Sequence, residues 1–351
     1  MKNFLLSFLI ISILFACNAA PKSDTTSNNN TVVKDSAIIS GDQIPKELID
    51  LNEKVKNRAG DPSVYAARAA YLVRHQNIDA AYEDLIKGFA IDSTYMPLYN
   101  SLADYHLMKG EPAQAKQALE KALSINKSSY MTHVKMGELF FLAKKYDLAF
   151  KQINNGLRIN KYYSDGYFWK GMIYKEKADT LAANANFQTA IEQDPENYKA
   201  YMQLGLLAIP SRNKMAIDYF TSAIKVDPTK TEAFYGRAYY YQLVSEFDKA
   251  IQDYTKVVEI DKRNASAFYN LGILHYNLRV IEIAAANFNK AIENNPKYAE
   301  AFYMRGLCNE AKSNDDAAIA DFEYALSLKE NYTLAAQGLD RVRSAKQSIK
   351  K

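Results

Sequence analysis

The residues of this chain best suited to chemistry are four histidines, two cysteines and a few acidic pairs, and their spacing gives them little to do. No two of His75, His106, His133 and His275 share a helical turn, so they set up neither a metal site nor a catalytic pair. Cys308 has no second Cys and no His beside it, and reads as a packing residue. Asp315 and Asp316 are adjacent acids suited to a solvated turn, and no glycine-rich phosphate loop is present. The residues therefore point to no enzyme, no metal and no cofactor. With 44 Lys and Arg against 40 Asp and Glu and no long basic block, nothing here tracks a phosphate backbone, so nucleic acid is not an expected partner. What the chain does hold in excess is the flat ring with a polar edge, in 26 Tyr beside 16 Phe.

Those rings need elements to hold them, and the elements repeat. With 48% apolar residues the chain can bury a large core. From Pro62 to Tyr332 it recurs with a period of 34 in eight frames, 62–95, 96–129, 130–163, 164–197, 198–230, 231–264, 265–298 and 299–332, the fifth being one residue short. Position 8 is Gly or Ala in all eight frames, and position 20 is Ala in all eight, from Ala81 to Ala318. Small residues at fixed points on two helices mean that the helices come close there, where a larger side chain would overpack. Position 24 carries the bulk that fills the remaining space, as Leu85, Leu119, Ile153, Phe187, Phe220, Tyr254, Phe288 and Phe322. Asp or Asn at position 31 in seven frames marks a helix stop and a turn, and five of the thirteen Gly are accounted for at position 8.

This pattern resembles the tetratricopeptide repeat family; Phe268, Gly272, Ala284, Phe288, Ala291 and Pro296 form one nearly complete instance. The resemblance implies an all-α fold, a right-handed α-solenoid of eight helix-turn-helix units over 62–332 with a concave inner groove. Stacked units need covered ends. An N-terminal capping helix is expected within 44–61, and a C-terminal solvating helix within 333–351, with Leu334, Leu339 and Val342 turned inward and Arg341, Arg343 and Lys346 outward. Pro210 in Ile209-Pro210-Ser211 should end the first helix of the fifth unit early.

In the same family, positions 2, 5, 9 and 12 of the first helix line the concave face. Carried onto this chain, they make Phe168, Met172, Met202, Leu206, Tyr235, Tyr239, Tyr269, Tyr276 and Tyr303 the candidate groove residues. A partner protein or peptide in the groove is the expectation, with a glycan, serving envelope polysaccharide export or cell-wall assembly, as the alternative, since rings of this kind clamp extended chains and stack on sugars. Equally, tyrosine suits half-buried helix positions in any tyrosine-rich protein. The Lys, Asn and Arg clamp of chaperone-binding members is missing from position 6.

Residues 1–16 read as an export signal: Lys2 precedes an apolar run from Phe4 to Phe15 that is too short to span a bilayer. Leu14-Phe15-Ala16-Cys17 resembles a bacterial lipobox, which implies lipidation of Cys17 and attachment to a membrane. Asn18 in place of Asp points to an outer-membrane lipoprotein facing the periplasm. The stretch 17–43, rich in Ser, Thr and Asn, reads as a disordered tether reaching roughly 25–30 Å.

Overall fold

The computed structural model describes residues 45–349, so the signal at 1–16, Cys17, the tether to residue 43 and the last two residues lie outside the described part. The described residues form eighteen helices and no strands. Pro45–Ile49 makes the opening turn of α1 (Lys46–Asn57), where the amides of Leu48 and Ile49 donate to the Pro45 carbonyl at 2.9 and 3.1 Å. From Asp50 onward the chain is one repeat body. Its first helices are α2 (Pro62–Arg74), α4 (Met96–Met108), α6 (Tyr130–Leu142), α8 (Ser164–Glu176), α10 (Tyr198–Ala208), α12 (Thr231–Leu243), α14 (Ala265–Asn277) and α16 (Ala299–Ala311). Each is followed by a second helix: α3 (Ile78–Ile91), α5 (Pro112–Ile125), α7 (Tyr146–Ile159), α9 (Thr180–Gln193), α11 (Met215–Val226), α13 (Phe247–Ile260), α15 (Ile281–Asn294) and α17 (Asp315–Leu328). The last helix is α18 (Thr333–Ile349).

Local chemistry sets these boundaries. Some helices start on side-chain caps: Asp61, Asp179, Asn197 and Asn264 accept from amides two or three residues ahead at 2.8–3.0 Å. Within each unit the first helix closes with a pair of backbone bonds around one left-handed residue, as where Asn77 and Gln76 donate to the Leu72 and Val73 carbonyls at 2.9 and 3.0 Å. The same pair closes all eight first helices. Between units, each position-31 Asp or Asn accepts from the amide two residues on, from Asp92 with Thr94 to Asn295 with Lys297. Pro210 shortens α10 to 11 residues against 13 in the other first helices, yet Asn213 and Arg212 still donate to Ala208 and Ile209.

The small positions have a sharper meaning in three dimensions. Every position-20 alanine is fully buried. A Cβ added to Gly171, Gly272 or Gly306 at position 8 would stand 2.5–2.7 Å from the ring of Phe187, Phe288 or Phe322 of the same unit. In these units glycine at position 8 makes room for a ring from the second helix rather than for a bare backbone. Where position 24 is Leu, as at Leu85 and Leu119, position 8 is Ala69 or Ala103.

Three buried ion pairs clasp the two helices of a unit together. Arg68, Arg237 and Arg305 each hold an aspartate sixteen residues on, Asp84, Asp253 and Asp321, through two bonds of 2.5–3.0 Å. A third bond from each guanidinium reaches back sixteen residues, to Asn52, Thr221 and Asn289 at 2.8–2.9 Å. Since Asn52 on α1 occupies the place that second-helix residues hold elsewhere, α1 stands where the second helix of a preceding unit would be. At the other end α18 covers Phe322 with Leu339 and Val342. Leu334, expected to face inward, is instead 39% exposed, because the buried place belongs to Ala335, in register with Ala233, Ala267 and Ala301.

Candidate functional site

Several first helices touch the first helix of the next unit, α2 with α4, α6 with α8, α10 with α12, α14 with α16, and α16 with α18, and no pair of second helices packs comparably. The face built by the first helices is therefore the one whose side chains meet across unit boundaries.

In the later units that face is tyrosine. Tyr235 packs edge-on against Tyr254, ring centres 5.2 Å apart, and Tyr269 and Tyr303 tilt against Phe288 and Phe322 at 5.8 Å. A second ring wedges two of them from the next boundary, Tyr298 against Tyr269 at 4.8 Å and Tyr332 against Tyr303 at 5.3 Å. Burial raises the phenols of Tyr235, Tyr269, Tyr276, Tyr298, Tyr303 and Tyr332 above the ordinary tyrosine range. Neighbouring hydroxyls feel one another: Tyr298 senses Tyr269 and Tyr235, and Tyr303 senses Tyr276. They share one continuous surface from α12 to α18. Asn270 donates to the Tyr235 hydroxyl at 2.7 Å. Among the described residues, no hydrogen bond engages the hydroxyls of Tyr239, Tyr269, Tyr276, Tyr303 and Tyr332, and all of them reach solvent.

The earlier units carry charge at the corresponding places. Lys135 on α6 grips both oxygens of Asp104 on α4 at 2.6 and 2.7 Å. One turn along α6 stands Glu138, whose carboxyl is raised above its ordinary range first by desolvation and then by Asp104 and Asp165, against the opposing pull of Lys135 and Lys199. Desolvation works against the Lys135 ammonium, but Asp104 and Glu138 together hold it above its usual value. Tyr163 donates to Asp165 at 3.1 Å, and Lys175 to Gln203 at 2.7 Å.

Of the nine groove candidates, Phe168 does not stand on this surface. Phe168 is only 5% exposed and packs into the core on Phe187, so it is not available to a ligand; without a hydroxyl, a ring at that place sinks into the unit. Met172, Met202 and Leu206 are half-buried, as the five tyrosines are, and pack against the cores of the fourth and fifth units. The five tyrosines are half-buried and share the face described above. Tyr298 and Tyr332 were missed, although Tyr recurs at position 34 in Tyr95, Tyr163, Tyr298 and Tyr332. The charged cluster was missed too, although Asp104 and Glu138 stand at position 9 of their frames, the place that supplied Met172, Leu206 and Tyr239, and Asp165 and Lys199 at position 2.

The histidines are engaged locally. His75 stacks on Tyr71, His106 meets Glu111 at 2.7 Å, His133 bridges Gln152 and the Lys127 carbonyl, and His275 bonds the Leu271 carbonyl. Cys308 is fully buried, which pushes its thiol up to about 12. Among the described residues there is no group of three or more potential metal ligands, and no helix long and apolar enough to cross a membrane.

Family models described as TPR repeat match residues 245–278, and models described as tetratricopeptide repeat match 97–129, 164–197 and 269–336. Anaphase-promoting complex subunit 3 of Schizosaccharomyces pombe is 22% identical over 150 residues, which cover 42% of this chain and 23% of that protein. The chain spans about a quarter of the length of the curated relatives it matches. Among solved structures, the APC/C hetero-tetramer Cut9-Hcn1 aligns with a TM-score of 0.59 at 15% identity, covering 84% of this chain and 58% of that one. The C-terminal part of a TPR repeat-containing protein from Cytophaga hutchinsonii aligns at 0.55 with 21% identity, covering 68% and 98%. At these identities the two structures show a shared fold.

Proposed function

This chain belongs to the tetratricopeptide repeat family, and from that premise we propose that it is an adaptor, holding a protein or peptide partner along the face of its first helices while a lipid on Cys17 keeps it at a bacterial outer membrane. One observation carries the binding role: side chains on that face, from α12 to α18, present unengaged, solvent-reaching hydroxyls on rings that are already wedged in place. Fixed rings lose little freedom when a ligand arrives, which favours binding over a mere surface role. The matched relatives support the same reading, since one is named as a subunit of a complex and another structure is a hetero-tetramer. On this reading the side on which successive first helices touch is the groove that receives the partner.

Site-specific photocrosslinking tests the face. With a benzophenone amino acid in place of Tyr239, adducts should form in envelope preparations; in place of Leu181, 85% exposed on the second helix α9, they should not. Equal crosslinking at both places would overturn the reading. The anchor is tested separately, by palmitate labelling of the wild type against Cys17→Ser; an unlabelled wild type removes the membrane from the proposal.

A further inference from the structure

We propose that the first-helix face between α6 and α8 takes an arginine side chain of the partner, its guanidinium held by the Glu138 carboxylate and lying against the ring of Trp169, an inference that rests on the adaptor reading above.

The repeat supplies its own comparison. Position 9 of the second unit is Asp104, and Lys135 at position 6 of the third unit grips both its oxygens at 2.6 and 2.7 Å. Position 9 of the third unit is again an acid, Glu138, but position 6 of the fourth unit is Trp169 in place of a lysine. Trp169 stands against the same side of α6: α8 packs on α6, and the Trp169 ring centre lies 5.3 Å from that of Phe141, one turn beyond Glu138. The place that closes the pair at one boundary thus holds a ring at the next. Among the described residues Glu138 makes no hydrogen bond and no ion pair.

The surroundings leave that cation to be supplied from outside. Glu138 senses Asp104 on α4, Lys135 on its own helix, Asp165 on α8 and Lys199 on α10. Lys135 is taken by Asp104, Asp165 accepts from the Tyr163 hydroxyl at 3.1 Å, and the Lys199 ammonium lies over the Phe168 ring at 5.9 Å with no ion pair among the described residues. With Glu138 counted, three carboxylates share two ammonium groups, which leaves negative charge in excess. A half-buried carboxylate without a donor is costly, and an arriving cation removes that cost.

Trp169 decides which cation. A guanidinium is planar and weakly hydrated, so it can give a carboxylate two parallel bonds while its face lies on an indole; an ammonium is a strongly hydrated point charge and gains less from the ring. The Trp169 and Phe141 rings are half-buried against each other, so they lose little freedom when a ligand arrives. Inside the protein the same pairing is already used, where Arg68, Arg237 and Arg305 each hold an aspartate through two bonds.

Trp169 is the single tryptophan of the chain, so its indole reports on this place alone. The test titrates the full chain with N-acetyl-arginine amide and follows the indole N–H resonance by NMR, with N-acetyl-citrulline amide, the uncharged isostere, and N-acetyl-lysine amide as comparison ligands. A saturable shift with the arginine compound, and weaker binding of the other two, is the expected result. Glu138→Gln should weaken arginine binding about tenfold or more without lowering the melting temperature, a split that a merely structural role would not produce. Glu259→Gln, at an exposed place on α13, should change nothing. If Glu138→Gln melts early, the citrulline comparison in the wild type still decides. No saturable shift, equal binding of the citrulline or the lysine compound, or undiminished binding by a folded Glu138→Gln would each overturn the proposal. Should the arginine compound fail while Tyr239 still crosslinks a partner, this site is wrong and the adaptor stands; if both fail, the adaptor reading falls as well.

Discussion

The two stretches of first-helix face share one scaffold and differ in chemistry. From α4 to α10 the face carries Asp104, Lys135, Glu138, Asp165 and Lys199, charges that lean on one another and hold Glu138 and Lys135 away from their ordinary ionisation. From α12 to α18 it carries phenols, with the nearby carboxylates paired off by Lys329 and Arg341. Beneath both stretches lie the same fully buried alanines and, at position 24, a large side chain that is fully buried in every unit. The comparison teaches that packing and surface are separable here: the core positions repeat, and the positions one or two residues away are free to diverge.

If that separation is real, the same core change must hurt both stretches equally. Ala149→Leu in the third unit and Ala250→Leu in the sixth each force four-carbon side chains into a fully buried contact, and each should cost about 3 kcal/mol, read as the shift in the denaturant midpoint. A large effect in one and a small effect in the other would mean that the two stretches are built differently below the surface. The ion pairs should separate them instead. Asp253→Ala strands Arg237 beside a nearly buried site and should cost about 2–3 kcal/mol, whereas Asp104→Ala leaves Lys135 with Glu138 one turn away to balance its charge and should cost about 1 kcal/mol. Thermal melts of the two variants against wild type decide this.

These contrasts also explain what could be read without coordinates. The units, their turns and their small positions were legible because each is a backbone or core demand made eight times over, as at Ala81 through Ala318. The tyrosines of the face were legible for the same reason, being repeated. Phe168 occupies the same place as Tyr235 but lacks the hydroxyl that keeps a ring at the surface, a distinction that periodicity does not carry. The Arg and Asp clasps occur in only three units, and their partners lie sixteen residues away on another helix, so no local pattern announces them. Tyr298 and Tyr332 look like turn residues until the next unit is stacked on them.

The two stretches should also respond to pH in different windows. The Glu138 carboxyl is raised in the folded state, so its charged form is disfavoured there: the penalty is absent below the unfolded carboxyl value of about 4.3 and grows as pH rises through the folded value. Glu138→Gln should therefore raise the melting temperature at pH 7 and bring no gain near pH 4. The phenols of Tyr269, Tyr298 and Tyr332 are raised as well, so their contribution is intact below the unfolded tyrosine value of about 10 and is lost only above it. A melt series from pH 4 to pH 11 should show wild type and Glu138→Gln diverging in the acid-to-neutral range and falling together in the alkaline range. Divergence confined to alkaline pH would break the assignment.

The smallest expected effect concerns a feature that the two stretches share. Each first helix ends on a residue with positive φ: Gln76, Lys144, Ala178, Arg212, Ser245, Arg279 and Ser313 at 51–65°, with Gly110 alone being glycine. Side chains strain that conformation, and here the paired backbone bonds that close each helix impose it whatever the residue. Removing the side chain relieves the strain but adds freedom to the unfolded chain, and the first term is the larger. Ala178→Gly in the fourth unit and Ser245→Gly in the sixth should each stabilise by about 0.5–1 kcal/mol, and Gly110→Ala should destabilise by about 1 kcal/mol. Differential scanning calorimetry resolves shifts of that size. Because the turn is a backbone device, the gain should be the same under the charged face and under the tyrosine face; a gain in one alone would show that the face above reaches down to strain the turn beneath it.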